Sequence, residues 1–175
     1  IIYQYGEERA SRKVARAIIE QRIETPFTRT AQLATLIRKI VRKSKDGIDP
    51  ATRTFQALRI YVNDEMGEVK RGLQAAETVL APGGKLAVVS FHSLEDRLIK
   101  RFLRDHSGGQ SRGSRHMPEA SSSGVAAPAF RLTKRSGIAP GKAETKSNPR
   151  SRSARLRWAE RTDAPVHSSV AGGVL

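Results

Sequence analysis

The chain has no cysteine. That excludes a disulfide-stapled scaffold, a thiolate metal site and a cysteine nucleophile. Aromatic residues are only 5% of it, so the core must be built mainly from aliphatic side chains. Long apolar runs are missing as well. The best one, Leu86 to Val89, is far short of the roughly 20 residues that a membrane span needs. No secretory signal is visible, because Arg9, Arg12, Lys13 and Arg16 interrupt the early apolar residues. Acid is scarce: 17 Asp+Glu stand against 32 Lys+Arg, a net charge of +15 on 175 residues. Such a surface attracts polyanions through phosphate neutralisation and counterion release, so nucleic acid is the favoured partner. An anionic membrane surface would want a basic amphipathic helix with bulky anchors. The one tryptophan, Trp158, sits instead in a strand-like alternation. The chain opens on Ile1-Ile2-Tyr3 without Met, and the expectation is a fragment whose upstream part is missing.

What is present reads first as helices. Ala10, Val14, Ala17 and Ile18 share one stripe of a helix over 7–20, which Thr25-Pro26 stops. Leu33, Leu36, Ile37, Ile40 and Val41 mark a second helix, capped by Thr28 or Thr30. Asp49-Pro50 is a start signal for a third, carrying Phe55, Leu58 and Val62. A break near Asn63-Asp64 leads to a fourth, with Met66, Val69, Leu73, Ala76 and Leu80. Pro82-Gly83-Gly84 then turns into KLAVVSF (85–91), an apolar, β-branched run of the kind expected for a strand buried on both faces. Ser93 with Asp96 three positions on predicts a capping box opening the next helix. Helix, strand, helix is the rhythm of an α/β sheet domain. Gly, Ser, Ala and Pro dominate 107–129, read as a flexible loop. Phe130–Thr133 and the alternating Ala154–Ala159 are expected to close the sheet edge as a hairpin, and 164–175 reads as a disordered tail.

Three stretches carry candidate chemistry. Ser90-Phe91-His92-Ser93 lies where a strand gives way to a helix. Ligands of open α/β sheets bind outside such strand ends, and free N–H groups at a helix start favour anions. His92 there can orient a base or carry a proton, although the same residues also serve as a simple cap. From Arg131 to Arg161 there are 10 Lys+Arg against Glu144 and Glu160, a local charge of +8, centred on Arg150, Arg152, Arg155 and Arg157. Arginine forks match phosphate geometry, and the plain alternative is a solvated charged face. Arg53 lies on the third helix across from much of its Phe55/Leu58 face. No metal site is expected: His92, His106, His116 and His167 are scattered, without ligand spacing.

The blocks YGEERASRKVARAI, TRTAQLA, ATRTFQALRIYVNDE, LAPGGKLAVVSFHSLEDRLIKRF and NPRSRSARLRWAER, in this order, closely resemble the bacterial ribosomal small-subunit RNA cytosine-N4 methyltransferases of the MraW/RsmH type. The resemblance runs from about Ile1 to Thr162. It implies a Rossmann-like, S-adenosylmethionine-dependent methyltransferase with an inserted helical domain. Residues 1–48 would be the end of that insertion, and 49–163 the C-terminal half of the catalytic domain. It implies ribosomal RNA and the small ribosomal subunit as partners, a cytoplasmic location and no membrane contact. The family's glycine-rich cofactor loop falls before Ile1, so no cofactor-binding residue is carried over and this chain alone is expected to be inactive. His92 and Ser93 are the candidates for the catalytic, substrate side. Phe91, Arg53, Arg150, Arg152, Arg155 and Arg157 are the candidates for RNA binding. A non-catalytic basic RNA-binding or ribosome-associated protein is the alternative reading.

Overall fold

The computed structural model describes residues 1–43, 47–108 and 127–167. Contacts divide the chain into two compact units, Ile1–Glu65 and Met66–Leu175. The division falls just after the Asn63-Asp64 break.

The first unit is helical: α1 (Ile2–Gly6), α2 (Ser11–Glu24), α3 (Thr30–Ile40) and α4 (Thr52–Val62). The helix expected over 7–20 is α2, which starts later, at Ser11, and a short α1 precedes it. Glu7 adopts the left-handed conformation (φ 51°) and closes α1, which restarts the helix at Ser11. Val14, Ala34, Ile37 and Ala51 form the buried core, with Ile18, Leu33 and Phe55 packed around it. Neither Thr28 nor Thr30 caps α3. The side chain of Gln32 reaches back instead, its Oε1 accepting from the Thr28 and Arg29 amides at 2.9 and 3.0 Å. The cap of α4 is Ala51, two residues past the Asp49-Pro50 start signal, and the Asp49 carboxylate accepts from the Ala51 amide at 2.8 Å. It also takes a two-pronged contact from Arg38, which holds its carboxyl below the ordinary aspartate range. α1 lies hard against α4. A Cβ placed on Gly6 would stand 2.6 Å from the Arg53 carbonyl oxygen, so only glycine permits this approach.

The second unit is mixed α/β. After α5 (Glu65–Val79), a turn through Pro82-Gly83-Gly84 enters β1 (Lys85–Ser90). Gly83 has φ 81°, and the Gly83 amide and Gly84 carbonyl both bond to Arg161. Then follow α6 (Ser93–Asp105), β2 (Phe130–Arg131), α7 (Lys142–Ser147), a 3-10 turn (Pro149–Ser153) and β3 (Arg155–Arg161). The strands form one antiparallel sheet in the order β1-β3-β2. The two segments expected to close the sheet edge as a hairpin do pair antiparallel, but α7 and the 3-10 turn lie between them and β3 is the central strand. Leu73, Ile99, Phe102, Leu103, Phe130 and Ala159 make the core between α5, α6 and the sheet.

β1 departs from the expectation of burial on both faces. Leu86 and Val88 pack on the core, while Val89 is 53% exposed and Ala87 is exposed too. Among the described residues, its only strand partner is β3. One edge and one face of an apolar strand are therefore open. Of the loop read over 107–129, residues 109–126 lie outside the described residues. In the tail read as disordered from 164, Ala164–His167 are placed, and His167 is bonded to Glu77. The rest of the tail lies outside the described residues.

Candidate functional site

β1 ends at Ser90, and the chain turns through Phe91 and His92 into α6. The cap of that helix is His92, one residue earlier than the expected Ser93. His92 is in extended conformation (φ −141°, ψ 162°), and its Nδ1 accepts from the Glu95 amide at 3.4 Å. An accepting Nδ1 puts the proton of the neutral ring on Nε2. That Nε2 is 3.3 Å from Glu95 Oε1 but is not aligned for a hydrogen bond. Glu95 completes the turn, its Oε2 accepting from the Phe91 amide at 3.0 Å. The outcome is a fixed corner that leaves the Phe91 ring 57% exposed and Ser93 exposed at the first turn of the helix.

The arginines of β3 lie beside this corner because of the strand register. Ser90 pairs with Arg155 and Val88 with Arg157. Arg155 is exposed, but Arg157 is not a free cation. Its Nε and Nη2 donate to the two carboxylate oxygens of Asp96 at 2.7 and 2.9 Å, and its Nη1 donates to the Arg135 carbonyl at 3.1 Å. The Arg157 side chain is only 11% exposed. It lies over Gly137, where an added Cβ would stand 3.3 Å from its guanidinium carbon. Asp96, read as a capping acid, is thus the anchor of Arg157. Its carboxyl is held below the ordinary range, chiefly by the Arg157 hydrogen bonds and then by the charges of Arg157, Arg155 and Lys100, against the opposing effect of burial.

Arg150 and Arg152 stand exposed on the 3-10 turn. Asn148 fixes that turn by accepting from the Arg150 amide at 3.2 Å. Arg53 belongs to the first unit, exposed on α4, with its Nη1 3.5 Å from the Glu7 carbonyl oxygen. The structure therefore gathers Phe91, His92, Ser93, Arg155 and Arg157 around one strand exit.

It also brings cations of the basic run together with two of α6, Lys100 and Arg104, that the sequence reading did not single out. A cavity of about 190 Å³ is lined by Lys100, Leu103, Arg104, Ser107, Leu132, Lys134, Arg135 and Arg157. Five of these eight are cationic, and none is acidic. The i,i+4 pair Lys100/Arg104 on α6 was a visible signal, but its meeting with Lys134 and Arg135 depends on the sheet.

The second unit is thus an α/β body that sets an exposed aromatic corner beside a strongly basic face. Comparison with known proteins gives this arrangement a family. The MraW methylase family model matches residues 1–162, and the chain belongs to that family. It is 58% identical over 175 residues to the "Ribosomal RNA small subunit methyltransferase H" of Rhodospirillum rubrum, covering 99% of this chain and 54% of that protein. It is 61% identical over 170 residues to the protein of the same description from Paramagnetospirillum magneticum, covering 97% and 53%. With the one from Rhodospirillum centenum it shares 63% over 166 residues, covering 95% and 50%. The chain spans about half the length of these curated relatives. No helix among the described residues is long and apolar enough to cross a membrane.

Proposed function

We propose that the protein represented by this chain transfers a methyl group from S-adenosylmethionine to the N4 amine of a cytidine in small-subunit ribosomal RNA, in the cytoplasm. The observation that carries this reading is the family match over residues 1–162, with the FHSLEDR block forming a rigid strand exit at the head of α6. The second unit is read as the C-terminal half of a Rossmann-like methyltransferase domain, and residues 1–48 as the end of an inserted helical domain. The open edge and half-open face of β1 support that reading, since a further strand and its cover fit there.

S-Adenosylmethionine carries a sulfonium cation. The cavity beside α6 presents five cations and no carboxylate, so its charge is opposite to what that group needs. That cavity does not fit the cofactor. Its pocket is assigned to the half of the relatives' length that this chain does not match.

What this chain contributes is the handling of RNA. The exocyclic amine of cytosine is a weak nucleophile because its lone pair is delocalised into the ring. Fixing it in line supplies much of the acceleration, on the scale of about 7–11 kcal/mol for well-oriented partners. The base must leave its stack to be fixed this way. The exposed Phe91 ring offers a surface on which an unstacked base can lie. Ser93, at the first turn of α6, stands next to that ring. His92 works through its neighbours, as a positioning residue that holds Phe91 and Ser93 in place through the corner. Arg150, Arg152 and Arg155 grip the phosphates. Arg157, paired with Asp96, braces β3 against α6 beside them, and Arg53 is a further phosphate contact from the first unit.

The test uses the full-length protein, isotopically labelled S-adenosylmethionine and small ribosomal subunits or their RNA. Label at a cytidine N4 is the expected result, and RNA that is bound but never labelled would overturn the reading in favour of a non-catalytic binder. His92→Asn keeps a capping side chain and removes the imidazole. Methyl transfer falling about tenfold or more with folding stability kept, and a changed pH profile, would place His92 in the site. Unaltered transfer would leave it a cap only. Arg150→Ala and Arg152→Ala should each weaken RNA binding and flatten its salt dependence by about one unit of slope.

A further inference from the structure

The sequence shows four histidines with no ligand spacing, yet the fold brings two of them to one buried carboxylate. Glu77 of α5 is 2% exposed. Its Oε1 accepts from the His167 amide at 2.8 Å and faces His167 Nδ1 at 2.9 Å. Its Oε2 faces His106 Nε2 at 3.2 Å. Among the described residues, no lysine or arginine reaches this carboxylate. The nearby Arg161 donates to the Glu77 backbone carbonyl instead, at 3.0 Å. A buried carboxylate needs compensation from close by, and here the His167 amide and the two imidazoles supply it.

His106 narrows what that compensation can be. Its Nδ1 lies 2.9 Å from the Phe102 carbonyl oxygen, which can only accept, so Nδ1 carries a proton. A neutral ring then points the bare lone pair of Nε2 at a carboxylate oxygen, acceptor against acceptor. Something positive must sit between them, either a proton, on the ring or on the carboxyl, or a metal ion. An imidazole that donates its far N–H to a backbone carbonyl is oriented as metal-ligating histidines are. Both rings are also held by packing. His106 stacks on Phe102 with centroids 4.0 Å apart, and His167 meets His106 edge-on at 4.7 Å.

We propose that Glu77, His106 and His167 form a binding site for a divalent transition-metal ion of the zinc class. Two imidazoles and a carboxylate are a ligand set that suits zinc and leaves a fourth position for water. One ligand atom from each residue lies within 4.8 Å of the others. The observed 2.9 and 3.2 Å separations approach the roughly 3.3 Å between neighbouring ligands of a tetrahedral zinc with bonds of about 2.0–2.1 Å. The ligands come from α5, the end of α6 and the segment after β3, so the ion would clasp the chain beyond the last strand to the two helices. This inference does not depend on the methyltransferase reading.

The test is binding of zinc or cobalt(II) to the metal-stripped protein. One ion per chain at micromolar affinity or tighter is expected, with a visible ligand-field band for cobalt of four-coordinate N/O type and a thermal midpoint raised by zinc. Glu77→Gln and His167→Ala should each weaken binding at least about tenfold. His167 lies outside the hydrophobic core, so that variant keeps the test readable if Glu77→Gln misfolds. Binding that is equal in His167→Ala and the unaltered chain would overturn the proposal. So would a stability that ignores zinc and changes only with pH around the histidine range, which would assign the site to a proton.

Discussion

Arg157 shows how a residue's type and its employment can differ. The sequence marks it as one of four arginines in a basic run. The structure commits two of its nitrogens to Asp96, 61 residues away, while Arg150 and Arg152 stay exposed. Nothing in one sequence encodes that pairing, because both partners have ordinary local roles: Asp96 in a first helical turn, Arg157 in a strand. The pair has a measurable signature. Asp96→Asn leaves the mostly buried guanidinium without its charged partner and should lower unfolding stability by about 1–3 kcal/mol at neutral pH. The Asp96 carboxyl titrates lower in the folded chain than in the unfolded one. Its contribution is therefore complete above the ordinary aspartate value of about 3.9 and fades as pH drops from there through the lowered folded value. Urea midpoints for the two proteins should converge over that acid range. A gap unchanged down to pH 2 would disprove the linkage.

Among the elements, the helices with a buried apolar stripe were legible and those without one were not. α3, α5 and α6 follow their periodicity closely. α7 buries no residue, so KAETKS offered no period to read. The start of α2 at Ser11 instead of residue 7 has no signal in the sequence, because its cause is the left-handed backbone at Glu7, a conformation common for glycine and rare for glutamate. KLAVVSF was read correctly as a strand, but its surroundings were not. Its composition suits two covered faces, and the described chain covers one. The close packing of α1 on α4 also has a test. Gly6→Ala would push a methyl group onto the Arg53 carbonyl oxygen, backbone that cannot rotate away. The helices must separate, and a loss of about 1–3 kcal/mol in thermal or urea unfolding is expected, the usual scale of overpacking. Alanine's better helix propensity would act in the other direction by under about 1 kcal/mol, so a net stabilisation would show that the contact relaxes cheaply.

For the molecule as a whole, the charge of +15 was informative from composition alone, and the placement of that charge was not. Lys100, Arg104, Lys134 and Arg135 meet only because α6 and the segment after β2 pack beside β3. The same holds for Glu77 and His167, 90 residues apart. The open edge of β1, with Val89 and Phe91 exposed near it, is a template for pairing between chains. The 175-residue chain expressed alone should therefore self-associate, as sedimentation velocity would show. A soluble monomer with one cooperative thermal transition would refute this.

The strand order β1-β3-β2 also bears on how the protein is made. Among the described strands the central one is the last to be synthesised, so β1 and β2 leave the ribosome before the strand that joins them. The three-stranded sheet can close only after residues 155–161 emerge, and the large sequence separation of the paired residues of β1 and β3 slows that closure. Nascent chains stalled before Arg155 should then hold this unit open to proteases and chaperones, while the helices of the first unit, complete by Val62, can already have packed.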